Sequence, residues 1–505
     1  MGDANVNIAM HFLGLDIGTS AAKAALVDER QAVVAQAAAP IATHNPRPGW
    51  SEQDPEDWWR ATETVVAALR QRAAAAFADI RAIGLSGQMH GAVVLDAAGR
   101  LIRSAILWND GRATAECAML AAAVPRLAEI AGVIAMPGFT APKVLWLRTH
   151  EPDAFTRIAH VVLAKDYVRL RLTGEIATDV SDAAGTLLLD EAARGWSAPL
   201  LAATGLDPAR MPRLSESNAP SGMLRPALAA AWGIASPVVV AAGAGDVAAG
   251  AIGVGAIGEG DGFVSLGTSA QIFRARDRYH PKPETLIHAF AHALPGRWFE
   301  MAALLNGATC LEWIARVLGA DVPQLIDEVA ANFKGPSPVL FLPYLSGERT
   351  PLNDPDARGA FANLSYATGR VDLVQAVLEG VAFSLRDGAL AFGDAGRSGA
   401  LPIIGGGARS RLWLQIIASA LGRPLQRIAA ADIGPAFGAA RLARLALTGE
   451  AAGTVCVKPE VEETVDPDPT LQAAYAARFP VFRGLYRGLR KARAATADRP
   501  PAATQ

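Results

Sequence analysis

The stretch Gly14-Leu15-Asp16-Ile17-Gly18-Thr19-Ser20 returns in altered form as Val264-Ser265-Leu266-Gly267-Thr268-Ser269-Ala270, roughly 250 residues further on. Each copy sets a Gly-Thr-Ser turn after a short apolar run, and such a turn presents backbone N–H groups and hydroxyls that can hold an anion. The echo predicts a duplicated architecture in which two turns face each other across the phosphates of a nucleotide. Only the first copy carries an acid ahead of its turn, Asp16. The halves are therefore expected to be alike in fold and different in task, one handling a metal and the other phosphate alone.

Size agrees with duplication. At 505 residues the chain exceeds the ~250 to 300 residues at which single cores split into domains. Hydrophobic residues make up 51% and charged residues 19%, with a formal net charge of -2, so no global field draws in nucleic acid or a membrane surface. A small molecule is the expected partner. The three cysteines, Cys117, Cys310 and Cys456, fit no CxxC spacing and leave an odd number, which suits a reduced, cytoplasmic setting. The start has no basic n-region followed by an apolar h-region, and no uninterrupted apolar stretch reaches the ~18 residues of a membrane span. Residues 1–9 read as a disordered leader, and the Lys, Arg, Ala and Pro composition beyond Leu489 reads as a fraying tail over 491–505.

Strand and helix patterns alternate. His11 to Val27 reads as a hairpin around the turn at Gly18. Asp54 is expected to cap a helix with Pro55 first and Asp57 three after the cap, its apolar side carried by Trp58, Ala61, Val65, Ala68 and Leu69. The strand Ala82-Ile83-Gly84-Leu85 then leads into Ser86-Gly87-Gln88-Met89-His90-Gly91. This alternation points to an α/β layer fold with ligands at strand ends. The second half is expected to begin after a Gly-dense passage from Gly243 to Gly260, and no low-complexity linker separates the two, which fits a short hinge suited to closure on a substrate.

Two further glycine clusters carry chemistry. The run Pro237 to Ala242 delivers Gly243-Ala244-Gly245-Asp246, an aspartate at a strand's carboxyl end among small residues that let a ligand approach closely. Such an aspartate can act as general base toward a hydroxyl, although a plain helix N-cap would use the same residue. Gly405-Gly406-Gly407-Ala408-Arg409-Ser410 lies between Leu401-Pro402-Ile403-Ile404 and Leu412-Trp413-Leu414-Gln415, a strand–turn–helix that could seat a nucleoside or be merely structural. It lacks the Gly-Lys-Ser/Thr of a Walker loop, and the nearest GxGxxG, from Gly253 to Gly258, follows a helix pattern rather than a strand.

Taken in order, these residues resemble the FGGY family of carbohydrate kinases over nearly the whole chain. Asp16 to Ser20 is similar to its first phosphate motif, Gly243 to Gly253 to the second, Ser265 to Ser269 to the opening of its second domain, and Gly405 to Ser410 to its adenosine motif. Gly138 to Leu147 is similar to the first family signature and Gly359 to Glu379 to the second, with Asn363 where the family usually has glycine. The resemblance implies two actin-like, ribonuclease-H-like α/β domains, 10–253 and 254–490, closing on ATP and a sugar. Within the family the chain looks most like the xylulose-phosphorylating branch, on Trp50 to Pro55, Gly87 to Gly91, Ile106 to Arg112, Ser181 to Thr186 and Leu345 to Pro351. Relatives often carry asparagine where Val247 follows Asp246.

What the resemblance implies is transfer of the ATP γ-phosphoryl group to O5 of D-xylulose. Asp246 would be the base and would touch the sugar; Asp16 would hold Mg²⁺, usually through water. Gly18, Thr19 and Lys23 would meet phosphate from one domain and Gly267 and Thr268 from the other. Gly307, Gly406 and Gly407 would contact the nucleotide. Met89, His90 and Trp108 would line the sugar pocket, with Asn109 and Asp110 beside them. Blander roles stand next to these: His90 a satisfied loop histidine, Trp108 a core residue, Lys23 a solvated edge. Trp58-Trp59 reads as packing, and Glu348-Arg349 as a domain-interface or substrate-loop feature. ATP and a sugar are the expected partners, with neither nucleic acid nor membrane, and a homodimer is compatible with them. A sibling kinase acting on ribulose, glycerol or another polyol is the near alternative. An actin-like ATP switch is the distant one, and it would need no Gln88-Met89-His90 loop.

Overall fold

Why each half folds as it does begins with its hairpin. In a computed structural model describing residues 10–235, 237–393, 399–429 and 434–497, β1 (His11–Ile17) and β2 (Ala21–Asp28) pair antiparallel around the Gly18 turn. β3 (Val33–Pro40) continues the meander, and β4 (Ile80–Gly87) joins β1 on its other side in parallel. β5 (Pro220–Met223), β6 (Val239–Ala241) and the short β7 (Ala244–Gly245) complete a sheet ordered β5-β6-β4-β1-β2-β3, with β7 also on β4. The proposed leader, residues 1–9, lies outside the described residues.

The second sheet repeats the scheme. β8 (Gly262–Leu266) and β9 (Ala270–Arg276) form the equivalent hairpin, followed by β10 (His288–Ala291), β11 (Trp298–Leu304), β12 (Leu401–Ile404), β13 (Leu425–Ile428) and β14 (Val461–Val465) in the order β10-β11-β9-β8-β12-β13-β14. β11-β9-β8 is the antiparallel meander and β12-β13 the parallel addition next to the first strand, matching β3-β2-β1 and β4-β6. The duplication inferred from the echoed heptapeptide is thus a duplication of topology.

Helix α1 (Pro55–Arg72) starts as its sequence predicts: the Asp54 side chain accepts from the Glu56 N–H, Pro55 takes the first turn, and Trp58, Ala61, Val65 and Leu69 are buried. Helix α2 (Asp246–Val254) follows β7 directly, and Gly255 closes it in left-handed conformation, so the GxGxxG-like run does trail a helix. The residue departing from the family pattern, Asn363, sits at φ 66° just after the strand Ala360–Ala362, and its Nδ2 donates to the Pro338 carbonyl at 2.7 Å. Asparagine is among the few non-glycine residues that tolerate this region, so the local turn is kept.

One helix breaks the sequential division into halves. α3 (Gly434–Thr448), which follows β12 and β13 in the chain, packs on β1, β4 and α2 of the N-terminal half. The approach is backbone against backbone: a Cβ on Gly14 would lie 1.9 Å from the Ala436 carbonyl oxygen, and one on Gly84 1.8 Å from that of Ala439. On the α2 side, a Cβ on Gly438 would lie 1.8 Å from the Ala249 carbonyl oxygen and one on Gly253 2.5 Å from that of Gly434.

Residues 491–497 depart from the expected tail over 491–505, and residues 498–505 lie outside the described residues. Helix α4 (Pro469–Ala497) continues through residue 491, and Arg493 pairs with Asp354 and reaches the Asp356 carbonyl. Lys, Arg and Ala are good helix formers, so the same composition that suggested fraying extends the helix once one side finds partners.

The glycine contacts give a direct test. Gly84→Ala should destabilise the protein by on the order of 3 kcal/mol, because the clash is with backbone that cannot rotate away, whereas Gly453→Ala, with open space around it, should be near neutral. Thermal or denaturant unfolding of the two variants measures the difference.

Candidate active site

Three strands deliver the acidic groups to one edge. In register, Asp16 on β1 stands beside Ser86 on β4, and Ser86 beside Ala244 on β7, two residues before Asp246. Asp16 is buried, with one carboxylate oxygen accepting from the Ser86 hydroxyl at 3.0 Å. Asp246 is the first residue of α2 rather than its cap, which is Gly245, and its carboxylate accepts from the Val247 N–H at 2.8 Å. Burial, then the neighbouring Asp16 charge, push the Asp246 carboxyl up to about 7. Burial also raises Asp16, against the opposing pull of Lys23 and the Ser86 hydrogen bond.

The loop after β4 is clamped. His90 adopts φ 70°, unusual for a residue with a side chain. Its carbonyl accepts from Lys143 Nζ at 2.8 Å and from the Thr140 hydroxyl at 3.2 Å, both from the Gly138-to-Leu147 signature. The ring stands 4.5 Å from that of Phe139, and Nδ1 lies 2.8 Å from the Gly185 carbonyl. A carbonyl only accepts, so Nδ1 carries the proton and Nε2 keeps its lone pair. Burial and, after it, the Arg349 charge hold His90 well below the usual histidine range, so it is neutral. Met89 lies against Gly245, where a Cβ would be 2.8 Å from the Met89 sulfur.

A relay of amides joins this loop to the first turn. The Trp58 indole N–H donates to Gln53 Oε1 at 2.8 Å, which also accepts from Gln88 Nε2 at 2.8 Å. Gln53 Nε2 donates to the Thr19 carbonyl at 2.7 Å, while the Thr19 hydroxyl donates to Gln88 Oε1 at 3.1 Å and accepts from Trp108 Nε1 at 2.9 Å. Trp58 therefore does more than pack, and Trp108 is a half-buried residue of the cleft rather than core.

From the other half, the Gly267-Thr268-Ser269 turn faces the same space. Gly267 N–H is satisfied within the turn by the Ser269 carbonyl at 3.0 Å, and Gly307 N–H supports it by donating to the Thr268 carbonyl at 3.1 Å. Together the two halves enclose a cleft of about 290 Å³ lined by Asp16, Gly18, Thr19, Lys23, Met89, His90, Trp108, Asp246, Ser265, Gly267, Thr268 and Arg349, among others.

Not every expected residue arrives there. Asp110 is spent elsewhere: it is buried, its carboxylate pairs with the Arg112 guanidinium at 2.7 Å and accepts from the Ser51 N–H at 2.6 Å. Arg112 in turn lies 3.6 Å above the Trp50 ring. Asn109 is exposed and also lies outside the lining. Gly307 is packed beneath the second turn, 2.6 Å from the Gly267 carbonyl oxygen if given a Cβ. Gly407 packs on Leu266, while Gly406 has open space where its side chain would be. Ser265 lines the cleft with no role of its own read from the sequence, and Arg349, read as part of a domain-interface or substrate-loop feature, lines it from the C-terminal half.

The patterns that define the FGGY family of carbohydrate kinases match both halves, the N-terminal domain over residues 11–253 and the C-terminal domain over 262–447. The chain belongs to that family. Among its FGGY relatives, the xylulose kinase of Escherichia coli (strain K12) is 46% identical over 95% of this chain and 99% of its own. That of Bacillus subtilis (strain 168) is 35% identical over 94% and 96%. The crystal structure of a xyloylose kinase from Brucella ovis superposes with a TM-score of 0.89 at 48% identity, covering 95% of this chain and 99% of that one. A gluconate kinase from Lactobacillus acidophilus shares the FGGY fold at a TM-score of 0.85 and 25% identity, over 95% and 98%. Among the described residues no helix is long and apolar enough to cross a membrane.

The electrostatics of this FGGY cleft are testable without ligands. Because the Asp16 charge raises the Asp246 carboxyl, Asp16→Asn should lower the Asp246 titration midpoint below about 7. Carboxyl carbon NMR on the free protein reads that shift, and an unchanged or higher midpoint would remove the coupling.

Proposed function

We propose that this kinase transfers the γ-phosphoryl group of ATP to O5 of D-xylulose, giving ADP and D-xylulose 5-phosphate. The observation that carries the reading is Asp246 beside the Met89-His90 loop, in a cleft whose opposite walls are two phosphate-type turns. The names of its FGGY relatives support the sugar, and a nucleotide switch would need neither that loop nor a base.

Asp246 accepts the proton of the sugar hydroxyl as that oxygen bonds to phosphorus and the bond to the ADP oxygen breaks. A carboxyl near 7 is matched to this task, basic enough to take the proton yet ionised in about half of the molecules at neutral pH. Thr19 and Lys23 hold phosphate from one side and Thr268 from the other, with Gly18 and Gly267, whose N–H groups close their turns, leaving the backbone bare for close approach, so most of the work is positioning and charge stabilisation. The Thr19 hydroxyl bridges Gln88 and Trp108, so the phosphate turn and the sugar pocket share one rigid set of contacts. Gly406 leaves room for the nucleoside.

Mg²⁺ fits the donors present. Asp16 commits one oxygen to Ser86, and among the described residues no group of three or more His, Cys, Asp or Glu side chains forms a closed metal cage. That sparse set suits a hard cation that keeps its waters and takes one carboxylate plus phosphates. Bound with ATP, the ion neutralises phosphate charge.

A coupled ADP-release assay should show turnover with D-xylulose well above that with D-ribulose, glycerol or no sugar; equal release under all conditions would sink the kinase reading, and a preferred D-ribulose or glycerol only the sugar. Asp246→Ala should lower kcat by about 1,000-fold or more while ATP affinity stays within a few-fold. In the unaltered protein kcat/KM should fall about tenfold per pH unit below about 7, because protonated Asp246 cannot accept a proton.

A further inference from the structure

The sugar end of the cleft has a lopsided hydrogen-bonding inventory. Of the residues lining the cleft, those read as its sugar side are Met89, His90, Trp108 and Asp246 from the N-terminal half, and Arg349, bonded to the Trp108 carbonyl, joins them from the C-terminal half. Asp246 as a base only accepts, and His90, with its Nδ1 proton given to Gly185, offers Nε2 only as an acceptor. The Met89 thioether is a poor partner for hydroxyls, and the Trp108 N–H is spent on Thr19. Arg349 is the remaining side-chain donor of these five. Its guanidinium is half-buried and gives one N–H to the Trp108 carbonyl at 2.9 Å, with no other side-chain hydrogen bond among the described residues.

The guanidinium is also held in place. A Cβ on Gly138 would lie 2.2 Å from Arg349 Nη2 and 2.3 Å from the Trp108 carbonyl oxygen, so the missing side chain there makes room for the contact. Behind it, the buried Glu348 carboxylate accepts from the Arg349 N–H at 2.9 Å and from the Leu305 N–H at 2.6 Å, fixing the backbone that presents the side chain. The Arg349 guanidinium centre stands 5.6 Å from the Trp108 ring centroid.

The chemistry of a ketopentose adds the remaining constraint. Its five-membered ring closes by attack of O5 on the C2 carbonyl, so a molecule whose O5 is free to be phosphorylated is open-chain and displays that carbonyl. A carbonyl oxygen can only accept, and in a pocket of acceptors it would be left unpaired. A pentitol, with a hydroxyl at C2, could donate to the same acceptors. We propose that Arg349, reaching across from the second half, supplies the hydrogen-bond donor for the C2 carbonyl and so sets the preference for a ketose over the corresponding polyol. This deepens the xylulose reading and rests on it. Because the donor and the base come from different halves, the pocket recognises a ketose fully only with the halves together.

The test compares D-xylulose with xylitol and D-arabitol, its two C2-reduced forms. Arg349→Met removes the donor; Arg349→Lys keeps a cation but loses the planar fork. The measurements are kcat/KM for the ketose, inhibition constants for both pentitols, ATP affinity and the thermal unfolding midpoint. In Arg349→Met, kcat/KM for D-xylulose should fall about 10- to 100-fold, the size of a hydrogen bond from a charged donor, while the pentitol constants move less than about threefold. Arg349→Lys should show a smaller loss with the same bias, and it carries the test alone if the methionine variant does not fold. Equal losses for ketose and pentitols, or none for either, would overturn the assignment. No ketose turnover in the unaltered protein would overturn both it and the xylulose reading; normal turnover with parallel losses would overturn only Arg349.

Discussion

Helix α3 against β1 and β4 is the contact on which the remaining architecture depends. Gly14 and Gly84 lie on the neighbouring strands that carry Asp16 and Ser86, and both are bare where the helix lies down. Because no side chain separates them, the helix backbone lies directly on the strand backbone, where even a Cβ would not fit. The same helix meets α2 at Gly253 and Gly438, and α2 begins with Asp246. One element from late in the chain therefore backs the strand bearing one carboxylate and the helix bearing the other. Both acids sit on elements backed by the same helix.

A second layer of control lies beneath the Asp246 turn. Lys165, fully buried, contacts Asp166 at 2.6 Å, Asp179 at 2.7 Å and Asp182 at 3.2 Å. Arg169 bonds Asp166 and the Ala242 carbonyl, and Ser181 accepts from the Gly245 N–H at 3.3 Å. Desolvating this many charges is a poor route to stability. The contacts end on the residues just before Asp246, which makes geometry rather than stability the gain.

The parts legible in the sequence are those set by local chemistry. The Gly18 turn, the Asp54-Pro55 helix start and the strand–turn–helix at Gly405 each follow from residues within a few positions of one another. The duplication was legible because the hairpins repeat, and Asp16, Met89, His90 and Asp246 because motifs mark strand ends. Asp110 misled, since an acid beside Trp108 looks available until Arg112, two residues on, takes it. Arg349 was legible only as part of a domain-interface or substrate-loop feature, because the contacts that hold its guanidinium are to Trp108 and beside Gly138, more than 200 residues earlier in the chain. The placement of α3 was equally hidden: the small residues that permit it are scattered between residues 14 and 438, and none marks its partner.

The unequal turns carry a consequence for how a nucleotide sits. Two identical turns related by a pseudo-twofold would receive a linear polyanion equally well in either direction, leaving ligand polarity undetermined. Ser265, which lines the cleft where Asp16 has its counterpart, removes that degeneracy by making one end uncharged. In the proposed reading, an ion carried by the phosphate chain then has a single favourable berth, beside Asp16. One turn with an acid and one without it make a clamp with a head and a tail, the kind that can aim a terminal phosphorus at one chosen hydroxyl.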